Sequence, residues 1–387
     1  MKDMPALSDS VALLHTLCVP TGIRASRTAV ANYAAVFARD AIMAGTAGLI
    51  TGDAIIIAGL RRTLELLRTH QGAQGQIASN VTAHPDGTRT VSFGTLAPRF
   101  DSASWYLVGV ALLCRAGHAE YAEFRESVER VIALLEGIEY NGRHLLYVPA
   151  GGNWADEYPF DGYILYDQVL RGFGLRLLAD HLNDEPMRRK AAAIGLAIGA
   201  HYWPDGDWKY GGVRRFPVAA ISPVRTDEHI DLAACALLAL SDLAPTLGQR
   251  ALDAMTTTFV AHDRLPPAFT PVIGESDPDW PALSRYHLHG FRNRPHEYHN
   301  GGIWPIWLGW LALAYAKHNR HEDAERLRML THQHIAQLTH FDFEEYFHGR
   351  SGASLGTPGM AYTATGLVFL DTAATAPLDT LFRAWTC

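Results

Sequence analysis

Cysteine is scarce in this chain, and the few residues stand far apart. Cys18, Cys114, Cys235 and Cys387 are the only ones among 387 residues, and no CxxC pair occurs. That spacing excludes a zinc ribbon and a disulfide scaffold and fits a reducing compartment. Long apolar runs are missing as well: none reaches the roughly 18–20 residues of a membrane span. The first twenty residues, MKDMPALSDSVALLHTLCVP, carry no long apolar core behind a basic start. No secretory leader is therefore expected, and the cytoplasm is the expected location. Blocks of Lys and Arg are absent, and the formal charge of −7 is spread along the chain. Neither nucleic acid nor an anionic membrane is an expected partner, while association into a homo-oligomer stays open. Alternating strand patterns are rare, with Thr88–Ser92 as one short candidate.

Helical periodicity is plentiful instead. Ile56, Leu60, Leu64 and Leu67 recur at helical steps, as do Val128, Val131, Ile132, Leu135 and Ile138. Comparable runs cover about 32–49, 53–69, 102–117, 119–138, 163–182, 187–202, 228–243, 247–262, 303–318, 321–338 and 358–371, with a twelfth near 7–18. The runs come in pairs joined by tight links such as Gly52-Asp53, Ala116-Gly117-His118 and Asn319-Arg320. Between pairs the loops are long and rich in Gly, Pro, Trp and Asp, a composition that points to function. Six helical hairpins with short links at one end and long loops at the other predict an all-α, closed (α/α)6 barrel of about twelve helices. No Pro/Ser/Gly linker divides residues 1–387, so a single domain is expected. An open α-solenoid would have the same helix pairs, but no fixed-period repeat supports it.

In such a barrel the loops leading into alternate helices open on one rim. There the chain places Arg39-Asp40, then Arg99-Phe100-Asp101 with Trp105 one turn on. Asn153-Trp154-Ala155-Asp156 and Arg225-Thr226-Asp227 follow, then Tyr298-His299-Asn300-Gly301-Gly302-Ile303-Trp304-Pro305 and Glu344-Glu345-Tyr346. Singly, an Asp ahead of a helix reads as an N-cap and a Trp within one as core. Together, carboxylates and indoles on one rim form a sugar site: carboxylates accept from hydroxyls, and Trp and Tyr offer an apolar face with a polar tip. Cleaving a glycosidic bond takes two carboxyl groups flanking it, one protonated and one ionised. Asp101 and Glu345 are candidates that only the fold could bring together. No HExxH, P-loop or GxSxG motif occurs. The histidines from His287 to His299 have no metal-site spacing, so neither metal nor cofactor is expected.

These blocks resemble the alkaline/neutral invertase family of glycoside hydrolases, and more loosely the trehalase and processing α-glucosidase families. The resemblance runs from about Tyr33 to Gly366. YHNGGIWP at Tyr298–Pro305 carries it most specifically, with FARD at Phe37–Asp40, APRFDSASWY at Ala97–Tyr106 and EYFHG at Glu345–Gly349. It implies Asp101 as general acid and Glu345 as general base. Arg39, Asp40, Trp105, Trp154, Asp156, Tyr298, His299, Asn300, Trp304 and Tyr346 would hold the sugar. Glu344 offers a second glutamate beside Glu345, and position 348 is His where an acid is commoner in such proteins. The implied activity is inverting hydrolysis of an α-glucosidic bond in a small carbohydrate. Sucrose comes first, then trehalose, glucosylglycerate or a maltooligosaccharide. A sugar 2-epimerase working through histidines, or a non-catalytic sugar-binding protein, would suit the same barrel.

Overall fold

The computed structural model describes residues 6–30, 32–95, 97–139, 142–204, 206–285, 290–382 and 384–385. Its first long helices are α1 (Leu7–Leu17), α2 (Ala38–Thr51), α3 (Ala54–Thr69), α4 (Phe100–Arg115), α5 (Arg125–Gly137) and α6 (Leu165–Leu182). They are followed by α7 (Glu185–His201), α8 (Leu232–Ser241), α9 (Pro245–Thr258), the single turn α10 (Trp280–Leu283), α11 (Pro305–Lys317), α12 (His321–Gln337), α13 (Ala361–Thr375) and the short α14 (Leu378–Leu381).

Packing divides these helices into two layers. α2 packs on α4, α4 on α6, α6 on α8, α8 on α11, α11 on α13, and α13 back on α2. That ring is closed, which rules out the open solenoid. Its members are buried on all sides: every residue of α8, and α11 from Pro305 to Ala316. Such helices carry no amphipathic stripe, because both faces meet protein. The outer layer sets α3, α5, α7, α9, α12 and α1 behind the ring. α3 turns Ile56, Leu60, Leu64 and Leu67 inward and leaves Arg61, Arg62 and Glu65 partly open. The tight links follow from local chemistry. Gly52 ends α2 in the left-handed conformation, and the Asp53 carboxylate accepts from the N–H groups of Ile55 and Ile56 to start α3.

All twelve expected helices are present, but several start later than their apolar pattern. The run from 32 becomes helical only at Ala38, because Val36 and Phe37 pair with Val81 and Asn80. Asn80–Ala83 in turn pairs with Arg89–Ser92, which realises the expected strand near 88–92. The run from 228 becomes helical at Leu232, since Ile230 and Asp231 pair with Thr270 and Phe269. These short ladders pin the long loops to the rim formed by the N-termini of the inner helices. At the opposite end Trp385 stacks on Trp310 and Arg115 donates to the Ala384 carbonyl. The C-terminal segment thus closes the base of the barrel.

Ring closure depends on close backbone approach between α11 and α13. A Cβ on Gly366 would run into the Pro305 carbonyl, and one on Gly309 would lie 2.6 Å from the Gly366 carbonyl oxygen. Gly366→Ala is expected to destabilise the fold by about 1–3 kcal/mol. Gly199→Ala, on the exposed face of α7 with nothing within 4 Å, should stabilise it by roughly 0.5–1 kcal/mol. Denaturant midpoints of the two variants check the contrast.

Candidate active site

The rim encloses a cavity of about 280 Å³, at the small end of ligand pockets. One wall is aromatic. Trp304 ends the loop ahead of α11, with its Nε1 donating to the Tyr298 carbonyl at 2.9 Å and its ring stacked on Tyr346. The His299 ring also stacks on Trp304, at 5.6 Å, and Trp154 meets both edge-on. Burial and the charges of Arg292, Arg39 and Arg99 hold His299 well below the usual imidazole range, so it is neutral.

The remaining walls are charged. Glu345 lies in the loop ahead of α13, where burial pushes it up to about 7. The nearby Arg292 guanidinium, the Tyr33 hydroxyl and the Thr357 N–H pull the other way, and Asp40 adds to the rise. Asp40, in the first turn of α2, is pushed up to about 6 by burial, although Arg39 beside it favours its charge. Asp156 lines the cavity from the loop ahead of α6 and is bound by Arg99. Arg292 lies over the Tyr298 ring and is bound by Glu157. Three polar atoms of lining residues are buried without a hydrogen-bond partner: Asp40 Oδ2, His299 Nδ1 and Trp154 Nε1. A buried polar atom normally has a partner, so these three are marked as candidate ligand contacts.

Arg39, Asp40, Trp154, Asp156, Tyr298, His299, Trp304 and Glu345, all expected from the sequence, line this one cavity. Four other expected residues are not among its lining. Asp101, in the first turn of α4, is fully buried, and its Oδ2 accepts from Arg39 at 2.6 Å and from the Tyr166 hydroxyl at 3.5 Å. Trp105 lies deeper, donating to the Tyr166 hydroxyl and packing on Trp310. Asn300 spends its amide on the backbone of Ile273 and Asn293. Tyr346 supports Trp304 from behind. The choice between adjacent glutamates is also geometric: Glu344 accepts from the Asp342 N–H and the Ser354 hydroxyl, while Glu345 lines the cavity.

Tyr33, Arg99, Arg292 and Tyr362 also line it without having been expected. Arg99 stands inside the block that drew attention to Asp101, and pairing with Asp156 was its discoverable signal. Arg292 sits in a stretch without periodicity, and no sequence pattern marks it. Among the described residues no group of three or more His, Cys, Asp or Glu is placed to hold a metal ion. His287 and His289 lie outside the described residues. No helix of the described chain is long and apolar enough to cross a membrane.

Residues 280–373 match the family model of alkaline and neutral invertase. The match covers the YHNGGIWP and EYFHG blocks and leaves out FARD and APRFDSASWY. No curated protein sequence matches the chain. Among solved structures it is similar to the GH63 mannosylglycerate hydrolase from Thermus thermophilus in complex with Tris, at 13% identity and a TM-score of 0.66 over 94% of this chain and 99% of that one. It is similar to a rhamnosidase from Klebsiella oxytoca with rhamnose bound, at 12% identity and 0.61 over 95% and 64% of the two chains. A glycosidase variant in complex with glucose is alike at 14% identity and 0.62, over 96% of each chain. At such identities the likeness shows the fold, the (α/α)6 barrel. The family match gives the class, which is a glycoside hydrolase. Within that class the matched segment resembles the invertases.

The raised Glu345 has a thermodynamic consequence. Its folded value, about 7, lies above its ordinary 4.5. The neutral carboxyl therefore supports folding below about pH 4.5, and that support is lost as pH rises through 7. The rise corresponds to roughly 3 kcal/mol. Glu345→Gln should be little different from the parent at pH 4.5 and more stable above pH 7, by up to that amount. Unfolding in denaturant at both pH values checks it.

Proposed function

We propose that the cavity hydrolyses an α-glucosidic bond of a small, uncharged sugar with inversion, sucrose being the first substrate to try. The observation that carries the reading is one cavity joining an aromatic platform to carboxyl groups from opposed sectors of the ring. Glu345 stands ahead of α13 and Asp156 ahead of α6, three places apart in a ring of six. Cavity charge supports a neutral substrate, because Arg39, Arg99 and Arg292 are set against Asp40, Asp156 and Glu345.

In this reading Glu345 takes a proton from a water that attacks the anomeric carbon. Asp156 gives a proton to the departing oxygen on the other face. The acid role that the resemblance implied for Asp101 thus passes to Asp156. Asp101 lies behind Arg39 and Tyr166 and is not among the residues that line the cavity, whereas Asp156 is. Asp40 and His299 hold sugar hydroxyls, and Trp304 and Tyr298 face the ring. A carboxyl separation of roughly 6.5–9.5 Å in the sugar complex would suit inversion. Epimerisation through two histidines has less support, since His299 is the one histidine among the described lining residues. The free cysteines Cys18, Cys114 and Cys235 support a cytoplasmic setting, with small carbohydrates rather than nucleic acid or membrane as partners.

A panel of sucrose, trehalose, glucosylglycerate, mannosylglycerate and maltose, read by proton NMR, tests this. Glucose should appear first as the β-anomer. An α-anomer would indicate retention, and mannose formed from free glucose would indicate epimerisation. Asp156→Asn should lose about 10²–10⁴-fold on a disaccharide and far less on α-glucosyl fluoride, which leaves without a proton. Glu345→Gln should lose both. Should Asp101→Asn show the fluoride-sparing pattern while Asp156→Asn does not, the acid is Asp101. EDTA should leave the rate unchanged.

A further inference from the structure

Glu345 is gripped by two donors that belong to one hydrogen-bonded unit. The Tyr33 hydroxyl donates to Oε1 at 3.0 Å, and the Thr357 N–H reaches Oε2 at 3.4 Å. The second contact needs Gly356: it has φ +87°, and a Cβ there would lie 2.8 Å from Oε2 and 2.6 Å from the Glu345 Cβ. Tyr33 itself is fixed. Its carbonyl accepts from the Ser26 N–H at 2.9 Å, its N–H donates to Val30, and its ring stacks on Phe37. The segment carrying Tyr33 is laced to the one that follows Thr357. Ser26 Oγ donates to the Pro358 carbonyl, Arg27 N–H to Gly359, and Ala361 N–H to Ala25. One unit, built from residues 25–30, 32–33 and 356–361, thus aims the Glu345 carboxylate from both sides.

We propose that Tyr33 is a positioning residue for Glu345, donating one hydrogen bond that keeps this carboxylate aimed and ionised as it accepts the proton of water. The proposal rests on Glu345 being the base. It concerns a residue that touches the carboxylate without taking part in bond making. A neutral phenol suits this task. Burial and the Glu345 charge raise Tyr33 well above the ordinary tyrosine range, so it stays a donor throughout the working pH. The other charged or titratable groups around Glu345 are Asp40 on α2, Arg292 and Tyr298 ahead of α11, and its neighbour Tyr346. Tyr33→Phe leaves all of them in place and removes one hydroxyl.

The test is the pH profile of kcat/KM for the parent and Tyr33→Phe on α-glucosyl fluoride, with the melting temperature and KM recorded alongside. The acid limb should lie near pH 7 in the parent, where burial puts Glu345. In Tyr33→Phe it should move up by about one pH unit. The variant then loses about tenfold at pH 6, little at pH 8.5, and KM hardly changes. 3,5-Difluorotyrosine at position 33, a stronger donor, should move the limb down and serves as the second variant should the Phe form fold poorly. A limb that stays put in both, or an equal loss at every pH, overturns the proposal. The underlying reading fails separately, through a Glu345→Gln enzyme that keeps its activity and its acid limb.

Discussion

The site is organised around the guanidinium of Arg39. It binds Asp101 on α4, lies 3.9 Å from Asp40 beside it on α2, and donates to the Tyr362 hydroxyl on α13. Three of the six inner helices are therefore joined through one side chain at the cavity floor. Taking such an ion out of water costs several kcal/mol, which attraction offsets only when geometry is good and further hydrogen bonds are made. Here the fork has three such neighbours. Losing one partner would leave a buried charge without its counterpart, so the ion pair fixes the relative rotation of α2, α4 and α13 more than it adds to stability.

Around that cation the inner helices repeat a pattern. Asp40, Asp101 and Asp167 stand in the first turns of α2, α4 and α6, and Asp231 caps α8. All four are buried and each has one oxygen without a hydrogen-bond partner. Helix N-termini favour negative charge by at most a kcal/mol or two, and one Arg39 cannot serve four carboxylates. Burial therefore raises Asp167 well above the carboxylate range and Asp231 to about 7. Asp167 and Asp231 thus resist ionisation. Burial likewise raises Glu345 to about 7 and Asp40 to about 6, with Asp40 adding to the first and Asp101 to the second, which puts both in the range where acid–base catalysis is efficient.

The barrel was legible in the sequence because its two signals are redundant. Apolar periodicity marks every helix, and Gly or Asn followed by an Asp or Pro marks the tight links. Helix starts were less legible, since pairing such as Val36 with Val81 takes rim residues away from the helix, and that partner is remote in sequence. Most of the site was visible as residue types on one rim. Their depths were not, and Asp101 shows why. An Asp two residues into a helix and an Asp in the loop ahead of one look alike in a string of letters, yet they stand at different depths.

Depth is what separates the carboxyls physically. A first-turn side chain is tied to the helix axis, and the inner helices here pack so closely that Asp101 and Asp167 end beneath the floor among Tyr166, Arg39 and Asn153. A loop residue is free of that axis and can reach over the opening, as Asp156, Glu345 and Arg292 do. The two layers also communicate. Asp167 accepts from the Asn153 side-chain amide, whose Oδ1 in turn accepts from the Ala155 N–H, and Arg99 binds both Gly151 and Asp156. The buried layer thereby sets the place of the loop that carries Trp154 and Asp156. An arrangement of this kind lets the rim present several carboxyls to a sugar while the packing that orders them stays out of water. It also explains why residues as visible in the motifs as Asp101, Trp105 and Asn300 are packed beneath or beside the cavity and are not among its lining residues.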